Sequence, residues 1–186
     1  MIYSRFDFDK TLQMAGRFIH NFSGRLNYTK LLKLMYLADR SSLGACERTI
    51  SGDKFFSLPK GPILSSVYEL IKGELLEGEK QQAWNEHISK QRYDLLLIKD
   101  PGLDELSDYE VELIDKLSEQ FMQFNLGEMI QFCHDNLPEW EDPGASCVLI
   151  KEEAILSALG KSEGEIEAIR EEIESIESLK EAPGEY

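Results

Sequence analysis

The sequence predicts an α+β domain that is predominantly helical, with a small antiparallel β element and a C-terminal amphipathic helix. Most of the chain carries apolar residues at helical spacing, and two Ser-x-x-Glu capping boxes precede such stretches. Alternating residues between 84 and 98 indicate a β-hairpin. A chain of 186 residues with 42% apolar side chains can bury a core without disulfides or a metal.

Two helices are expected within the first fifty residues. Asp9 can cap the first helix, which runs to about Phe22 with one apolar stripe. The second helix extends from about Asn27 to Leu43, and apolar residues occupy more than one of its sides. We therefore expect the second helix to be buried broadly.

The stretch from Phe55 to Gly73 is expected to form a short apolar strand, a rigid turn and a short amphipathic helix. Pro59 and Pro62 each fix φ near about −65° and lack a donor N–H. Pro62 suits the first helical position, and Gly73 can supply a left-handed stop. Two apolar segments would thus be held at a fixed angle by a loop without a nucleophile, base or ligand set.

A β-hairpin is predicted around residues 84–98. Alternation in residues 84–89 suggests the first strand, and the apolar run in residues 93–98 suggests the second. Residues 89–92 would connect them, and the Asp-Pro-Gly turn at 100–102 ends the sheet.

Further helices are expected in the second half of the chain. A capping box at Ser107 and Glu110 opens a long helix that reaches about Phe124. Another helix covers roughly 126–136, and a short one runs from about 150 to 159.

A last helix opens at the capping box formed by Ser162 and Glu165. Its other faces are filled by Glu and Ser, and burying its apolar residues could contribute about 7–15 kcal/mol at most. This helix must therefore dock on its own domain, on a partner or on a second copy of the chain. The apolar residues are Ile166, Ile169, Ile173, Ile176 and Leu179.

The charge distribution bears on partners and compartment. The net charge is −15, so phosphate backbones and anionic membranes are expected to be poor partners. Either the charge serves solubility, or an acidic surface meets a basic protein. Three irregularly spaced cysteines and an N-terminus without an apolar signal core predict a cytoplasmic protein.

No pattern in the sequence points to a catalytic, metal or cofactor site. Cys133 and His134 are adjacent, so on a helix they point about 100° apart and cannot form a nucleophile–base pair. The candidate zinc ligands form no CxxC, HxxxH or HExxH pair, and no glycine-rich phosphate loop is present. Glu139, Glu141 and Asp142, around Trp140, are expected to form a solvated turn.

Three segments, in order, resemble the Panacea domain of SocA-like antitoxins. Residues 31–39 are similar to the family's K-L-x-K-L-x-Y-x-A-D helix, and residues 56–73 to its aromatic and Gly-Pro segment. Residues 106–140 are similar to the start of the long helix and the late His and Trp pair. The matching scaffold residues are Lys33, Tyr36, Asp39, Phe56, Gly61, Pro62, Tyr68, His134 and Trp140.

The resemblance covers about residues 10–145, which predicts a Panacea domain at 1–145. Residues 146–186 would then be an acidic helical extension that packs on this domain or on a partner. Pro59 departs from the family pattern, in which a less rigid residue is common at that position.

The resemblance implies a mainly helical domain without catalysis or cofactor that binds a co-encoded protein toxin. Toxins of this family vary and include alarmone-synthetase-like enzymes. One branch resembles an adaptor that delivers its toxin to a AAA+ protease. A small enzyme is a further alternative, and the toxin's identity, a possible homodimer and the mode of neutralisation stay open.

The partner surface is expected at the C-terminal helix and beside the Gly61–Pro62 turn. Deleting residues 162–186 should therefore weaken partner binding more than it lowers thermal stability. The candidate interface residues are Lys60, Ile166, Ile169, Ile173, Ile176 and Glu172.

Overall fold

The structure is a computed structural model that describes residues 5–75 and 78–181, and side chains as far as residue 175. Its described part contains eight helices and two three-stranded antiparallel sheets, which confirms the predominantly helical α+β class. The helices are α1 (Phe8–Asn21), α2 (Tyr28–Cys46), α3 (Ser65–Lys72), α4 (Gly78–His87), α5 (Asp108–Phe121), α6 (Leu126–Asn136), α7 (Glu152–Ala158) and α8 (Glu163–Glu181). The strands are β1 (Arg25–Asn27), β2 (Phe55–Leu58), β3 (Gly61–Leu64), β4 (Ile88–Gln91), β5 (Asp94–Leu97) and β6 (Val148–Ile150).

Helix α2 lies at the centre of the fold. Twelve of its nineteen residues are buried, which confirms the expected broad burial. It packs against α1, α5, α6 and α7 and against strand β3. The Asn27 side chain caps the helix by accepting hydrogen bonds from the backbone N–H groups of Thr29 and Lys30.

The first sheet has the strand order β1-β5-β4. The predicted hairpin is present, but its first strand starts at Ile88. Residues 78–87 form helix α4 instead, and Trp84 is buried in the core. Trp84 and Ile88 are four residues apart, so their spacing fits one helical face as well as strand alternation. A tight turn at Arg92 and Tyr93 replaces the longer connection, with Arg92 at a φ of +56°.

The second sheet has the order β3-β2-β6, and the position of Pro62 in it differs from the prediction. Pro62 lies in strand β3 opposite Ser57 and is not the first residue of the helix. Helix α3 starts three residues later because Asp53 caps it from a distance. The Asp53 carboxylate accepts hydrogen bonds from the backbone N–H groups of Ser66 and Val67, at 3.0 and 3.1 Å. The left-handed stop at Gly73 is confirmed by its φ of +77°.

The other helix starts follow their predicted caps with two changes. Both Ser-x-x-Glu capping boxes form, before α5 and before α8. Helix α1 is capped by Asp7 and not by Asp9, because Asp7 accepts the backbone N–H of Lys10. Ile150 belongs to strand β6, and α7 begins only at Glu152.

Residues after 145 contribute to the same hydrophobic core as the preceding ones. Strand β6 pairs with β2, and Ile155 and Leu156 of α7 are fully buried. On α8, Ile169 is 3% exposed and Ile173 is 7% exposed. The Ile176 and Leu179 side chains lie outside the described ones. The division into a domain at 1–145 and an extension at 146–186 stays a prediction.

Candidate functional site

Three polar side chains on α2 hold three distant parts of the chain. Lys33, Tyr36 and Asp39 follow one another at intervals of three residues, so they lie along one side of the helix. All three are buried. Buried polar groups must be hydrogen-bonded, and each of the three bonds a different segment. We call this set, with the groups bonded to it, the α2 clasp.

Lys33 binds the β2–β3 hairpin. Its ammonium group is 2.7 Å from the carbonyl oxygen of Pro62, to which it donates. Burial, with a smaller contribution from the Lys60 charge, lowers the pKa of Lys33 to about 7. Gly61 has a φ of +99°, and a Cβ there would lie 3.2 Å from Lys33 Cε and Nζ. A glycine is therefore favoured at this turn, both for its backbone conformation and because Lys33 would have to shift to admit a Cβ.

Tyr36 binds the segment after α6. Its hydroxyl donates to Glu139 Oε1 at 2.8 Å, and Arg40 Nε donates to the same oxygen at 2.6 Å. The Glu139 side chain is fully buried, with the Arg40 side chain 16% exposed beside it. Burial, reinforced by the Glu139 charge, raises the pKa of Tyr36 well above its ordinary value. The Tyr36 ring also meets the Phe55 ring edge-on at 5.4 Å.

The expectation of a solvated turn around Trp140 is therefore wrong for Glu139. The carboxylate accepts bonds from two residues of α2, so burial is compensated by charge-assisted hydrogen bonds. A sequence signal existed in the spacing of Tyr36 and Arg40, which places a hydroxyl and a guanidinium on one helical face. Their common acceptor, about a hundred residues later, carried no comparable signal.

Trp140 and His134 connect the end of α6 to the β2–β3 hairpin. The indole N–H of Trp140 donates to the carbonyl oxygen of Leu58 at 3.0 Å. The His134 ring stacks on the indole with centroids 4.0 Å apart and planes 6° apart. His134 Nε2 is buried and has no hydrogen-bond partner within residues 5–75 and 78–181. The late His and Trp pair thus fixes the end of α6 against β2.

Asp39 binds the loop before β2. Its carboxylate accepts the backbone N–H groups of Ile50 and Ser51, at 2.7 and 3.0 Å, and the Ser51 hydroxyl. Burial nonetheless raises the pKa of Asp39 to about 7. Glu152 is buried nearby, and its pKa rises to about 8 through burial and the charges of Glu153 and Asp39. The loop is therefore held by a carboxyl group whose ionisation the surrounding protein opposes.

Two further motif residues, Phe56 and Tyr68, are half-buried. Phe56 lies between Ile63 and Leu149 in the β3-β2-β6 sheet. The Lys72 ammonium group lies 4.8 Å from the centroid of the Tyr68 ring. Neither residue belongs to the α2 clasp, and both border solvent.

The candidate interface residues divide between surface and core. Lys60 and Glu172 are exposed, and Glu172 lies 3.7 Å from Arg48 in a surface ion pair. Ile166 is half-buried, while Ile169 and Ile173 belong to the core of the chain itself. The Ile176 side chain lies outside the described ones. Partner binding by this set stays a prediction.

The described residues offer little reactive chemistry. No group of three or more His, Cys, Asp or Glu side chains among them could hold a metal ion. Burial raises the pKa of the Cys133 thiol to about 11, which keeps it protonated at neutral pH. Within the same residues, no helix combines the length and apolar character needed to cross a membrane.

The family described as antitoxin SocA-like, Panacea domain, matches residues 31–141. This range contains all three α2 residues of the clasp and every segment that they bond. The chain belongs to this family. No curated protein and no solved structure matched the chain.

Membership of an antitoxin family suggests a toxin–antitoxin role and a non-enzymatic one. The structure explains the Panacea motif physically, because Lys33, Tyr36 and Asp39 each form hydrogen bonds to a different segment of the chain. The matched range stops before β6, α7 and α8, so these elements lie outside the family description.

Proposed function

We propose that this chain is a cytoplasmic antitoxin that neutralises a co-encoded protein toxin by direct, stoichiometric binding. The observation that carries the proposal is the family match over residues 31–141. An alarmone-synthetase-like enzyme is one class of toxin that fits.

The internal use of the motif residues supports a binding role. The polar atoms of Lys33, Tyr36 and Asp39 are engaged in hydrogen bonds inside the protein. Such groups hold the domain in shape and are not free for acid–base work on a substrate. Recognition then depends on the surface, and the chain's net charge of −15 favours encounter with a basic protein.

Co-expression tests the proposal. The co-encoded neighbour expressed alone should arrest growth, and co-expression with this chain should restore it. The two purified proteins should co-elute as a stable complex. An unrelated acidic protein of similar size, expressed at the same level, is the control and should not restore growth. A harmless neighbour, or a toxic one that forms no complex, would contradict the proposal.

Toxin turnover separates this mechanism from the adaptor alternative. After protein synthesis is stopped, a neutralised toxin should persist at constant level alongside this chain. Loss of the toxin that requires both this chain and a AAA+ protease would instead establish a proteolytic adaptor.

A further inference from the structure

Strand β6 is an exposed edge of the β3-β2-β6 sheet. One side of β6 pairs with β2, and no strand of the described chain pairs with the other side. Residues 144–149 are all exposed, with Val148 at 50% and Leu149 at 38%. An edge strand directs some of its backbone N–H and C=O groups outward, where they can pair with another chain.

The other sheet edges differ from β6 in their side chains or their packing. The free edge β4 carries Ser89, Lys90 and Gln91, and β1 carries Arg25 and Asn27. Polar and charged edge residues oppose pairing with foreign strands. Strand β3, the other edge of the second sheet, packs against α2. The β6 residues, Val148–Ile150, are all apolar and are preceded by Cys147.

Two lysines mark one end of this edge. Continuing the register of Phe55 with Ile150 places Lys54 opposite Lys151. Both are exposed, and neither forms an ion pair with another described residue. Like charges directly opposite each other in a sheet are unfavourable. A carboxylate at this end would relieve the repulsion.

We infer that an extended segment of the toxin adds a strand to the open edge of β6. The inference rests on the proposed function and specifies its docking surface. The segment carries apolar side chains over Val148 and Leu149, and a carboxylate at the Lys54–Lys151 end. Main-chain hydrogen bonds supply affinity in this mode of binding, and side chains supply specificity.

A second copy of this chain is a poorer occupant of the edge. Antiparallel pairing of two β6 strands would bring residues 143–149 of one copy towards the lysines of the other. This stretch, Pro-Gly-Ala-Ser-Cys-Val-Leu, contains no carboxylate. Two chains that each carry a net charge of −15 also repel one another.

The test measures binding of the full chain to the purified co-encoded toxin by calorimetry. We expect Val148→Glu to weaken the affinity at least about 10-fold, because a charge then faces the incoming apolar strand. The control is Ile98→Glu, which places the same charge at a side chain that is 62% exposed beside the other sheet. We expect less than about a twofold change there, since surface substitutions away from an interface have small effects.

A second variant keeps the test decisive if Val148→Glu lowers the thermal midpoint. The double substitution Lys54→Glu and Lys151→Glu changes only exposed side chains. It should weaken binding about 10-fold by opposing the carboxylate of the partner strand.

Three outcomes would overturn the inference. In the first, Val148→Glu and the double lysine substitution both fold and both leave the affinity for the toxin unchanged. In the second, the control and Val148→Glu weaken binding equally. In the third, sedimentation shows a dimer of this chain that Val148→Glu dissociates, which would assign the edge to a second copy. If the wild-type chain itself binds no toxin, the proposed function fails with it, whereas tight binding that is insensitive to β6 removes only this inference.

Discussion

Helices α2 and α8 have the same length of nineteen residues but are held in different ways. Helix α2 buries twelve residues, three of which belong to the α2 clasp. Among the described side chains of α8, only Ile169 and Ile173 are buried. Glu172 of α8 pairs with Arg48, and Lys161, just before α8, pairs with Glu47.

The difference shows where the fold tolerates change. Removing one partner of a buried polar pair leaves the other without water or a hydrogen bond, which is strongly destabilising. Exposed ion pairs contribute little, because solvent screens them. The α2 clasp should therefore dominate stability, and the surface of α8 should accept substitutions. The following predictions test that contrast.

The largest effect is expected at Glu139. Replacing Glu139 with Ala leaves the Tyr36 hydroxyl and the Arg40 guanidinium without their acceptor. We expect the free energy of unfolding to fall by about 3–5 kcal/mol. Urea denaturation measures this, with the exposed Glu141→Ala as the matched control. Equal losses in both variants would show that the Glu139 pair adds no more than a surface charge.

Substitutions at two glycines with positive φ can distinguish the cost of backbone strain from the cost of a steric contact with Lys33. Gly61 and Gly73 have φ of +99° and +77°, but only a Cβ at Gly61 meets neighbouring atoms. Gly73→Ala should cost about 1 kcal/mol from conformation alone, and Gly61→Ala about 2–3 kcal/mol because Lys33 must also move. Thermal denaturation compares them, and similar losses would rule out a role for the Lys33 contact. We expect Gly61→Val to lower the thermal stability more than Gly61→Ala does.

Buried carboxyl groups should make stability depend on pH. Burial raises the pKa of Asp39 to about 7 and that of Glu152 to about 8. In the unfolded chain both ionise near about pH 4, so between these values the folded state holds more protons. The contribution of these two groups to the free energy of unfolding is therefore greatest below about pH 4. It is lost as the pH rises through 7 and 8.

The variant Glu152→Gln tests this dependence, because it keeps the shape of the side chain and removes its titration. Between pH 5 and 7 the decrease in unfolding free energy should be smaller by roughly 2–3 kcal/mol than in the wild type, because the folded and unfolded states differ by almost one proton at Glu152 over these two pH units. Lys33 acts in the opposite direction only above about pH 7, the value to which burial lowers its pKa. Identical pH profiles of the two proteins would contradict the raised pKa of Glu152.

The smallest effect is expected at the surface of α8. Arg48 and Glu172 are 59% and 62% exposed, with their charged atoms 3.7 Å apart. Replacing Arg48 with Ala should change the free energy of unfolding by less than about 0.5 kcal/mol. Denaturation at low and high salt measures the change. A loss comparable to that of Glu139→Ala would erase the contrast between the two helices.

Local patterns predicted the helices well because their causes are local. The capping boxes before α5 and α8 and the stop at Gly73 depend on residues three or four positions apart. The errors arose where a distant group decided the outcome. Asp53 caps α3 from outside the helix, and pairing with β2 holds Pro62 in a strand. Trp84 fitted both a strand and a helix, and its burial in the core selects the helix.

The sequence by itself determined the fold class, the order of most helices and the motif that marks an antitoxin family. These follow from periodicity, capping and ordered short segments, all of which act within a few residues. Only the tertiary structure decided that Lys33, Tyr36 and Asp39 bond three separate segments of the chain and that Glu139 is buried with Arg40. Long-range hydrogen bonds leave no periodic trace in a chain, since each partner is chosen by the packing of elements far apart in sequence.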